Sequence, residues 1–225
     1  MFYMATLPQE RIKMRALISG VHGNVGGCLA DLLDSRSIGY DTVSSKVGDW
    51  SEIKSQINGT YDLVVLANGV QEPVALNALS ERGTERILWG NLTFTIGIVN
   101  SVIDRINKGG LIVFCSSIQA TQPRYGRGVY AAAKAGVEGL MRATAVELFD
   151  ERNARAVALR IGQMTTQMKN VHFDERQKET LKALSPLEWV TPESVAKLCL
   201  DLYYQPSLTG TVIEVSSGQN LNIWN

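Results

Sequence analysis

Three side chains in the stretch FCSSIQATQPRYGRGVYAAAK have the types and spacing of a proton-transfer site: Ser117, Tyr130 and Lys134. Tyr130 and Lys134 are four residues apart, which on a helix places them on one face, one turn apart. An ammonium group beside a phenol stabilises the phenolate, so the pKa of the phenol falls toward the range of a general acid or base. A serine hydroxyl nearby could hydrogen-bond a substrate carbonyl oxygen. The alternative for the pair is an ordinary surface tyrosine and lysine.

A second feature that could take part in the chemistry is a glycine-rich segment near the start, SGVHGNVGG. Gly20, Gly23 and Gly26 recur at every third position, between an apolar run and a helical pattern. Glycines there allow a tight turn and close approach of the backbone to a pyrophosphate, and the helix N-terminus presents free N–H groups and the positive end of its dipole. The segment therefore predicts a dinucleotide-binding turn. A glycine-rich turn without a ligand is the alternative.

The elements that must position these residues alternate along the chain, as in a parallel sheet covered by helices on both faces. The predicted strands are residues 14–19, 40–45, 61–67, 110–115, 154–161 and 211–215. The predicted helices are residues 24–35, 51–57, 84–106, 130–149 and 192–203. The segment between the second and third strands is short, so we expect the helix after strand two to be missing or reduced to a turn. Residues 1–13 are interpreted as an N-terminal extension and residues 14–225 as one domain.

Composition narrows the function classes. The 225 residues include 22 Lys plus Arg and 22 Asp plus Glu, a balance that argues against a nucleic-acid or membrane-surface partner. No apolar run reaches membrane-spanning length, and the first residues lack the order of a secretory signal. Three scattered cysteines, Cys28, Cys115 and Cys199, indicate reduced thiols and a cytoplasmic protein. With two histidines in addition, no metal-ligand spacing is present, and we expect no metal.

The motifs together resemble the short-chain dehydrogenase/reductase family, from residue 14 to the C-terminus. D-L-V-V-L-A-N-G, Asp62 to Gly69, stands where the family has D-x-L-V-N-N-A-G, and Asn91 stands where it has a catalytic asparagine. Tyr130 follows Ser117 by 13 residues, the family's common spacing. Residues 159–168 resemble the family's P-G-x-V-x-T segment, with Gly162 and Thr166 in register. Residues 192–196 and the closing LTGTVIEVSSG resemble its last helix and strand.

The resemblance implies an α/β fold: a Rossmann-type, doubly wound, mostly parallel sheet with helices on both faces. It also implies roles for the residues. In a reduction Tyr130 would give a proton to the carbonyl oxygen, and Ser117 would orient and polarise the carbonyl. Lys134 would lower the pKa of Tyr130 and bind the nicotinamide ribose, and Asn91 would hold a water in a proton relay behind Lys134. Asn91 as a helix cap or bridge, and Ser117 as a turn residue, are the alternatives.

Three departures from the family pattern affect the cofactor side. Leu66 and Ala67 replace the first two asparagines of N-N-A-G, and Asn68 replaces its alanine, so the hydrogen bonding at this strand end is open. Ile161 replaces the usual proline before Gly162, which could change the loop over the nicotinamide. The glycine spacing is that of the family's extended branch, yet the chain lacks that branch's long C-terminal substrate domain.

The cofactor prediction is NADP, with NAD as the alternative. The end of strand two reads Val43-Ser44-Ser45-Lys46 and has no carboxylate to repel a 2′-phosphate, while Lys46 and His22 are basic. A solvated loop lysine is the alternative for Lys46. Asp49 resembles the residue that contacts adenine, and Trp50 could flank the adenine ring or fill the gap left by the shortened segment. The remaining cofactor contacts that the resemblance implies are Asn24, Val25, Ala67, Asn68, Gly69, Gly162, Met164 and Thr166, together with the three glycines of the turn.

The substrate region is expected in the insert at about residues 166–191 and in the loop 119–129. Its polar candidates are Gln119, Gln122, Arg124, Arg127 and Lys169, and its apolar ones are Met164, Met168, Val171, Phe173 and Leu184. Arg124 and Arg127 could bind an anionic substrate, or they could be solvated loop arginines.

The sequence thus predicts an NAD(P)-dependent oxidoreductase that acts on a carbonyl or secondary alcohol of a small-to-medium molecule. The alternatives are an NADP-binding sensor or regulatory protein, and an isomerase or lyase without net cofactor turnover. A homodimer or homotetramer is expected, because two long helices have wide apolar faces. These faces comprise Leu92, Phe94, Ile96, Ile98 and Val102 on one helix, and Val137, Leu140, Met141, Val146 and Leu148 on the other.

Overall fold

The computed structural model describes residues 14–44, 49–164 and 189–219, with the side chains of residues 150 and 151 excepted. Six strands form one parallel sheet in the order β2-β1-β3-β4-β5-β6. The strands are β1 (Arg15–Ser19), β2 (Gly39–Val43), β3 (Tyr61–Leu66), β4 (Ile106–Ser117), β5 (Arg155–Ile161) and β6 (Thr211–Val215). The helices are α1 (Asn24–Ser35), α2 (Trp50–Gln56), α3 (Glu81–Leu88), α4 (Phe94–Val102), α5 (Gly128–Arg152) and α6 (Pro192–Tyr203). The predicted α/β fold is confirmed.

Apolar side chains cover both faces of the sheet, which explains why its strands are near-continuous hydrophobic runs. Along β3, Leu63 and Val65 point to the face covered by α1 and α6. Val64 and Leu66 point to the face covered by α2, α4 and α5. All four side chains are at most 2% exposed. Because the strands are packed on both faces, their carboxyl ends are held in a fixed arrangement.

The shortened segment is confirmed among the described residues, where β2 lies at the edge of the sheet and no further strand stands before β3. The helix expected to be missing or reduced to a turn is not absent: α2, with seven residues, stands between β2 and β3. Residues 45–48 lie outside the described part. Gln56 of α2 is bonded to the residue that follows β2: its side-chain oxygen accepts from the Ser44 N–H, and its nitrogen donates to the Ser44 carbonyl.

The predicted single helix over residues 84–106 is wrong in detail. The structure has α3, then a π-helical turn at Trp89–Thr93, then α4 and a 3₁₀ turn at Ile103–Arg105. β4 then starts at Ile106, whereas the sequence predicted a strand only over residues 110–115. A π-turn takes one residue more than an α-turn and cannot be distinguished from it by apolar periodicity.

The expectation that no apolar segment reaches membrane-spanning length needs correction. Among the described residues, the helical stretch Glu81–Arg105 is long and apolar enough to cross a membrane by length and composition alone. Core helices pass the same test, and this one packs on the sheet: Phe94, Ile98 and Val102 are at most 6% exposed.

The apolar faces predicted to form an oligomer interface are mostly used inside the protomer. On α5, Val137, Met141 and Leu148 are buried in the core beneath the helix. Val146 is 73% exposed and its neighbour Phe149 is 62% exposed, so these two residues are the large apolar side chains that α5 presents to solvent.

Candidate active site

The glycine-rich turn between β1 and α1 is built by close backbone contacts. Gly20 has φ +71°, and a Cβ atom there would lie 2.7 Å from the backbone of Ala67. A Cβ atom on Gly26 would lie 2.2 Å from the Gly20 carbonyl oxygen. The N–H of Gly23 closes the turn by donating to that oxygen at 2.8 Å. Side chains at Gly20 or Gly26 would therefore push α1 away from β1 and β3.

The first turn of α1 has no side chain to satisfy its N–H groups. Its N-cap is Gly23, which makes no capping bond, and no acidic residue follows in the first turn. The starts of α2, α3 and α6 are capped by the side chains of Asp49, Ser80 and Thr191. Because free N–H groups and the helix dipole favour an anion, the start of α1 fits the pyrophosphate of a dinucleotide.

Ser117, Tyr130 and Lys134 lie together on the other side of the same cavity. Ser117 is the last residue of β4, and Tyr130 and Lys134 lie in the first two turns of α5. Their exposures are 8%, 6% and 4%, which argues against the surface alternative for the pair. Lys134 Nζ lies 5.9 Å from the centre of the Tyr130 ring. It donates to the carbonyl oxygens of Cys115 at 2.9 Å and Asn68 at 3.3 Å, so it connects the ends of β4 and β3.

Asn91 lies in the π-turn and is fully buried. Its side-chain nitrogen donates to the carbonyls of Val70 at 2.7 Å and Ile87 at 2.8 Å, and its oxygen accepts from the Val70 N–H at 3.3 Å. These contacts agree with the alternative in which Asn91 bridges segments. The water-relay role stays a prediction.

Asn68, a departure from the family pattern, turns its side chain into the protein. Its oxygen accepts from the Ser19 hydroxyl at 2.7 Å. Its nitrogen donates to the Gly90 carbonyl at 2.9 Å and the Thr95 hydroxyl at 3.1 Å. Asn68 therefore joins β1, β3 and the π-turn, while its backbone still lines the cavity.

Gln71 is a site residue that the sequence reasoning missed. It lines the cavity, and its side-chain nitrogen donates to the Tyr130 hydroxyl at 3.3 Å. The only signal for it is its position two residues beyond the N-G pair at Asn68 and Gly69.

A cavity of about 480 Å³ connects the start of α1 with the group of Ser117, Tyr130 and Lys134. Predicted residues in its wall are Gly23, Asn24, Val25, Ala67, Asn68, Gly69, Ser117, Gln119, Arg124, Arg127, Tyr130, Lys134, Gly162 and Met164. Gly162 follows β5, and a Cβ atom there would lie 2.8 Å from Ser216 and from the Gln219 side chain. Met164 pairs with Val190, so the two ends of the predicted substrate loop meet. Ser45, Lys46 and Thr166 lie outside the described residues, as do Met168, Lys169, Val171, Phe173 and Leu184.

The described residues predicted on the adenine side lie outside the cavity. His22, Ser44, Asp49 and Trp50 are exposed and do not line the cavity. The Asp49 carboxylate accepts from the N–H groups of Ser51 and Glu52 and from the Ser51 hydroxyl, and these hydrogen bonds lower its pKa. The Trp50 indole lies 3.4 Å from the position that a Cβ atom on Gly97 would take, which agrees with the gap-filling alternative. The adenine contacts stay predictions.

Comparisons with known proteins agree with this geometry. The family model described as enoyl-(acyl carrier protein) reductase matches residues 45–220. The chain is 29% identical over 215 residues to the 3-oxoacyl-[acyl-carrier-protein] reductase of Chlamydia trachomatis serovar D, covering 89% of this chain and 85% of that one. It is 25% identical over 205 residues to the acetoacetyl-CoA reductase of Cupriavidus necator, covering 85% and 82%.

A solved small-chain dehydrogenase in complex with NADPH superimposes with a TM-score of 0.80 at 19% identity, covering 92% of this chain and 98% of that one. The likeness supports the fold. Together with the family model and the relatives, it leads to one conclusion: the chain belongs to the short-chain dehydrogenase/reductase family and is an NAD(P)-dependent oxidoreductase.

Proposed function

We propose that the protein reduces the carbonyl group of a small-to-medium substrate, with NADPH as the preferred cofactor. One observation carries the proposal: Tyr130, Lys134 and Ser117 are buried in the cavity that the uncapped start of α1 also lines. A helix start that suits an anion and a proton-transfer group thus share one cavity, as a hydride-transfer enzyme requires.

Each residue has a role in this proposal. When bound, a nicotinamide dinucleotide supplies the hydride. The Tyr130 hydroxyl donates a proton to the carbonyl oxygen, and the Ser117 hydroxyl hydrogen-bonds and orients that oxygen. Lys134, which lies 5.9 Å from the Tyr130 ring, stabilises the phenolate that remains and binds the ribose. General acid catalysis of this kind contributes about 10²- to 10⁴-fold to the rate.

Asn91 would hold a water behind Lys134 in a proton relay. Its side-chain oxygen and Lys134 Nζ lie 3.2 and 3.6 Å from the position that a Cβ atom on Gly69 would take. Both groups therefore lie next to Gly69, which supports a shared role for them.

The preference for NADP rests on the chain after β2 and on the relatives. Val43, Ser44, Ser45 and Lys46 include no carboxylate that would repel a 2′-phosphate, and one structural relative was crystallised with NADPH. The phosphates would be held by the turn of Gly20, Gly23 and Gly26 and by the first turn of α1.

The proposal extends to assembly and location. Val146 and Phe149 on α5 would pack against a second copy, because large apolar side chains exposed together mark contact surfaces. The three cysteines form no disulfide, which supports a cytoplasmic protein.

The test compares Tyr130→Phe with the matched control Tyr125→Phe. Tyr125 is 91% exposed, so its hydroxyl has no part in a buried site. Binding of NADPH and NADH is followed by nicotinamide fluorescence, and turnover by NADPH absorbance with acetoacetyl-CoA and simple ketones. We expect Tyr130→Phe to lower kcat by about 10²- to 10⁴-fold with NADPH affinity retained, and Tyr125→Phe to leave both unchanged.

Absence of binding of either dinucleotide would overturn the proposal. Stronger binding of NADH than of NADPH would overturn only the cofactor preference. Lys46→Ala then tests whether Lys46 contacts the ribose of the bound dinucleotide.

A further inference from the structure

The charge of the cavity wall is one-sided. Among the described residues that line it, Arg124, Arg127 and Lys134 are cationic and none is an aspartate or glutamate. Lys134 is oriented by the carbonyls of Asn68 and Cys115 and belongs to the proton-transfer group. Arg124 and Arg127 remain as cations that the proposed reaction does not use. A concave wall of one sign attracts a ligand of the opposite sign.

A tight turn holds the two arginines side by side. The N–H of Arg127 donates to the Arg124 carbonyl at 3.0 Å, and Gly126 between them has φ +74°, the conformation that a type II turn requires at its third position. The Gly126 carbonyl accepts from the Val74 N–H at 2.9 Å, which anchors the turn to the loop after β3. Two like charges are therefore kept together by the backbone, against their mutual repulsion.

The two guanidinium groups have different surroundings. Arg124 Nη1 donates to the Gln163 side-chain oxygen at 2.6 Å, and the Gln163 N–H donates to the Gln219 side chain at 2.7 Å. This chain of contacts fixes Arg124 beside the end of β5. Arg127 Nη1 is buried and has no hydrogen-bond partner in the part of the chain that the structure describes. A buried charged donor without a partner is unfavourable, so the Arg127 guanidinium lacks an acceptor.

The neighbouring charge affects Arg124 as well. Its pKa lies below the ordinary value, first because the group is partly desolvated and then because of the positive charge on Arg127. The negative charge of an anion beside the two guanidinium groups would offset both effects.

We propose that Arg124 and Arg127 bind a carboxylate of the substrate, so that the protein reduces an oxo acid rather than a neutral ketone. The inference rests on the proposed carbonyl reduction and names its substrate class. Arg127 is the N-cap residue of α5, three residues before Tyr130, and both side chains line the same cavity. The proposed substrate therefore has its carboxylate and its carbonyl in one small molecule.

The phosphates of the cofactor are a poor match for this pair. They are expected at the start of α1, whereas Arg124 is bonded to Gln163 beyond the end of β5. The experiment separates the two sources, because a cofactor contact would change NADPH affinity and a substrate contact would not.

The probes are pyruvate, acetoacetate and levulinate with their methyl esters, which share a carbonyl and differ in charge. Turnover is measured with NADPH, and binding by calorimetry to protein saturated with NADP⁺, a state that cannot reduce the probe. The variants are Arg127→Gln, Arg124→Gln and Arg127→Lys. The control is Arg142→Gln, an exposed arginine further along α5.

We expect at least one acid to be bound and reduced in preference to its ester. Arg127→Gln should raise KM for that acid by about 10- to 100-fold, with little change for the ester or in NADPH affinity. Arg127→Lys should retain part of the preference, and Arg142→Gln all of it.

Binding of no acid, or an acid-to-ester ratio unchanged in Arg127→Gln, would overturn the inference while dinucleotide binding and the Tyr130→Phe result leave the proposed function intact. Loss of NADPH affinity in Arg127→Gln would assign the pair to the cofactor and would also overturn it. A protein that binds no dinucleotide fails the proposed function itself.

Discussion

The first turns of α1 and α2 meet the same physical need in opposite ways. Each has N–H groups without a helical partner. α2 satisfies them itself through the carboxylate of Asp49. The N-cap of α1 is Gly23, which offers no side chain, and the first residues of α1 line the cavity instead. We propose that the start of α1 is completed by a ligand, whereas the start of α2 is completed by the protein itself.

The substitution expected to disturb the start of α1 most is Gly26→Ala. The new Cβ would lie 2.2 Å from the Gly20 carbonyl oxygen, so α1 must shift away from the turn. We expect the free energy of unfolding to fall by about 1–3 kcal/mol and NADPH affinity by more than about tenfold, measured by denaturant titration and fluorescence.

The control is Gly139→Ala on α5, where a Cβ would meet no atom within 4 Å. It should leave NADPH affinity unchanged. Equal effects of the two substitutions would contradict the importance of the close contact at Gly26.

Giving α1 the cap that α2 has would sharpen the comparison. Gly23 has φ −88° and ψ 171°, so Gly23→Asp is free of backbone strain, although its Cβ would lie 3.1 Å from the Gly20 carbonyl oxygen. The carboxylate should bond the first-turn N–H groups and repel the phosphates. We expect about tenfold weaker NADPH binding at low salt, and a smaller loss at high salt because ions screen the repulsion.

Gly23→Asn separates charge from shape, since it caps a helix without a negative charge. It should weaken binding less than the aspartate does. If both variants bind NADPH like the original protein, the start of α1 is not the phosphate site.

Removing the cap of α2 should have the smallest effect. Asp49→Ala leaves two N–H groups of α2 without their acceptor, and we expect Tm to fall by about 2–4 °C at neutral pH. The hydrogen bonds lower the pKa of Asp49 in the folded protein, so its contribution is present above the unfolded-state pKa. The difference between the two proteins should therefore shrink as the pH falls through the lowered pKa.

NADPH affinity is the second measurement on Asp49→Ala. We expect no change, because the carboxylate is engaged by its own helix. A clear loss of affinity would favour the adenine contact that the family resemblance implies.

Much of the fold was predictable because its signals are local. The bounds of α1, α6 and β6 agree with the prediction, since each has a glycine, a proline or a change of apolar period at its ends. The π-turn at Trp89–Thr93 and the length of β4 were missed, because both depend on packing between distant segments.

In the candidate site, too, local signals were predictable and contacts between distant segments were not. Ser117, Tyr130 and Lys134 were found by type and spacing, and the structure brings them together. The inward side chain of Asn68 and the bond from Gln71 to Tyr130 were not found, because each depends on segments that are far apart in the sequence. Asp49 was predicted from its position to contact adenine, and its capping bonds are visible only once α2 is placed.

Because the chain after β2 is shortened, β2 is an edge strand of the sheet. Among the described residues no strand pairs with the outer side of β2, and such open flanks invite strands of other molecules to add on and aggregate. Asp41 stands in the middle of this five-residue strand, where its carboxylate accepts from the Arg15 guanidinium and the Tyr61 hydroxyl. Arg15 and Tyr61 belong to β1 and β3, so the Asp41 carboxylate points inward across the sheet and holds the edge strand to its neighbours. The short length of β2, five residues, limits what a strand of another molecule could pair with.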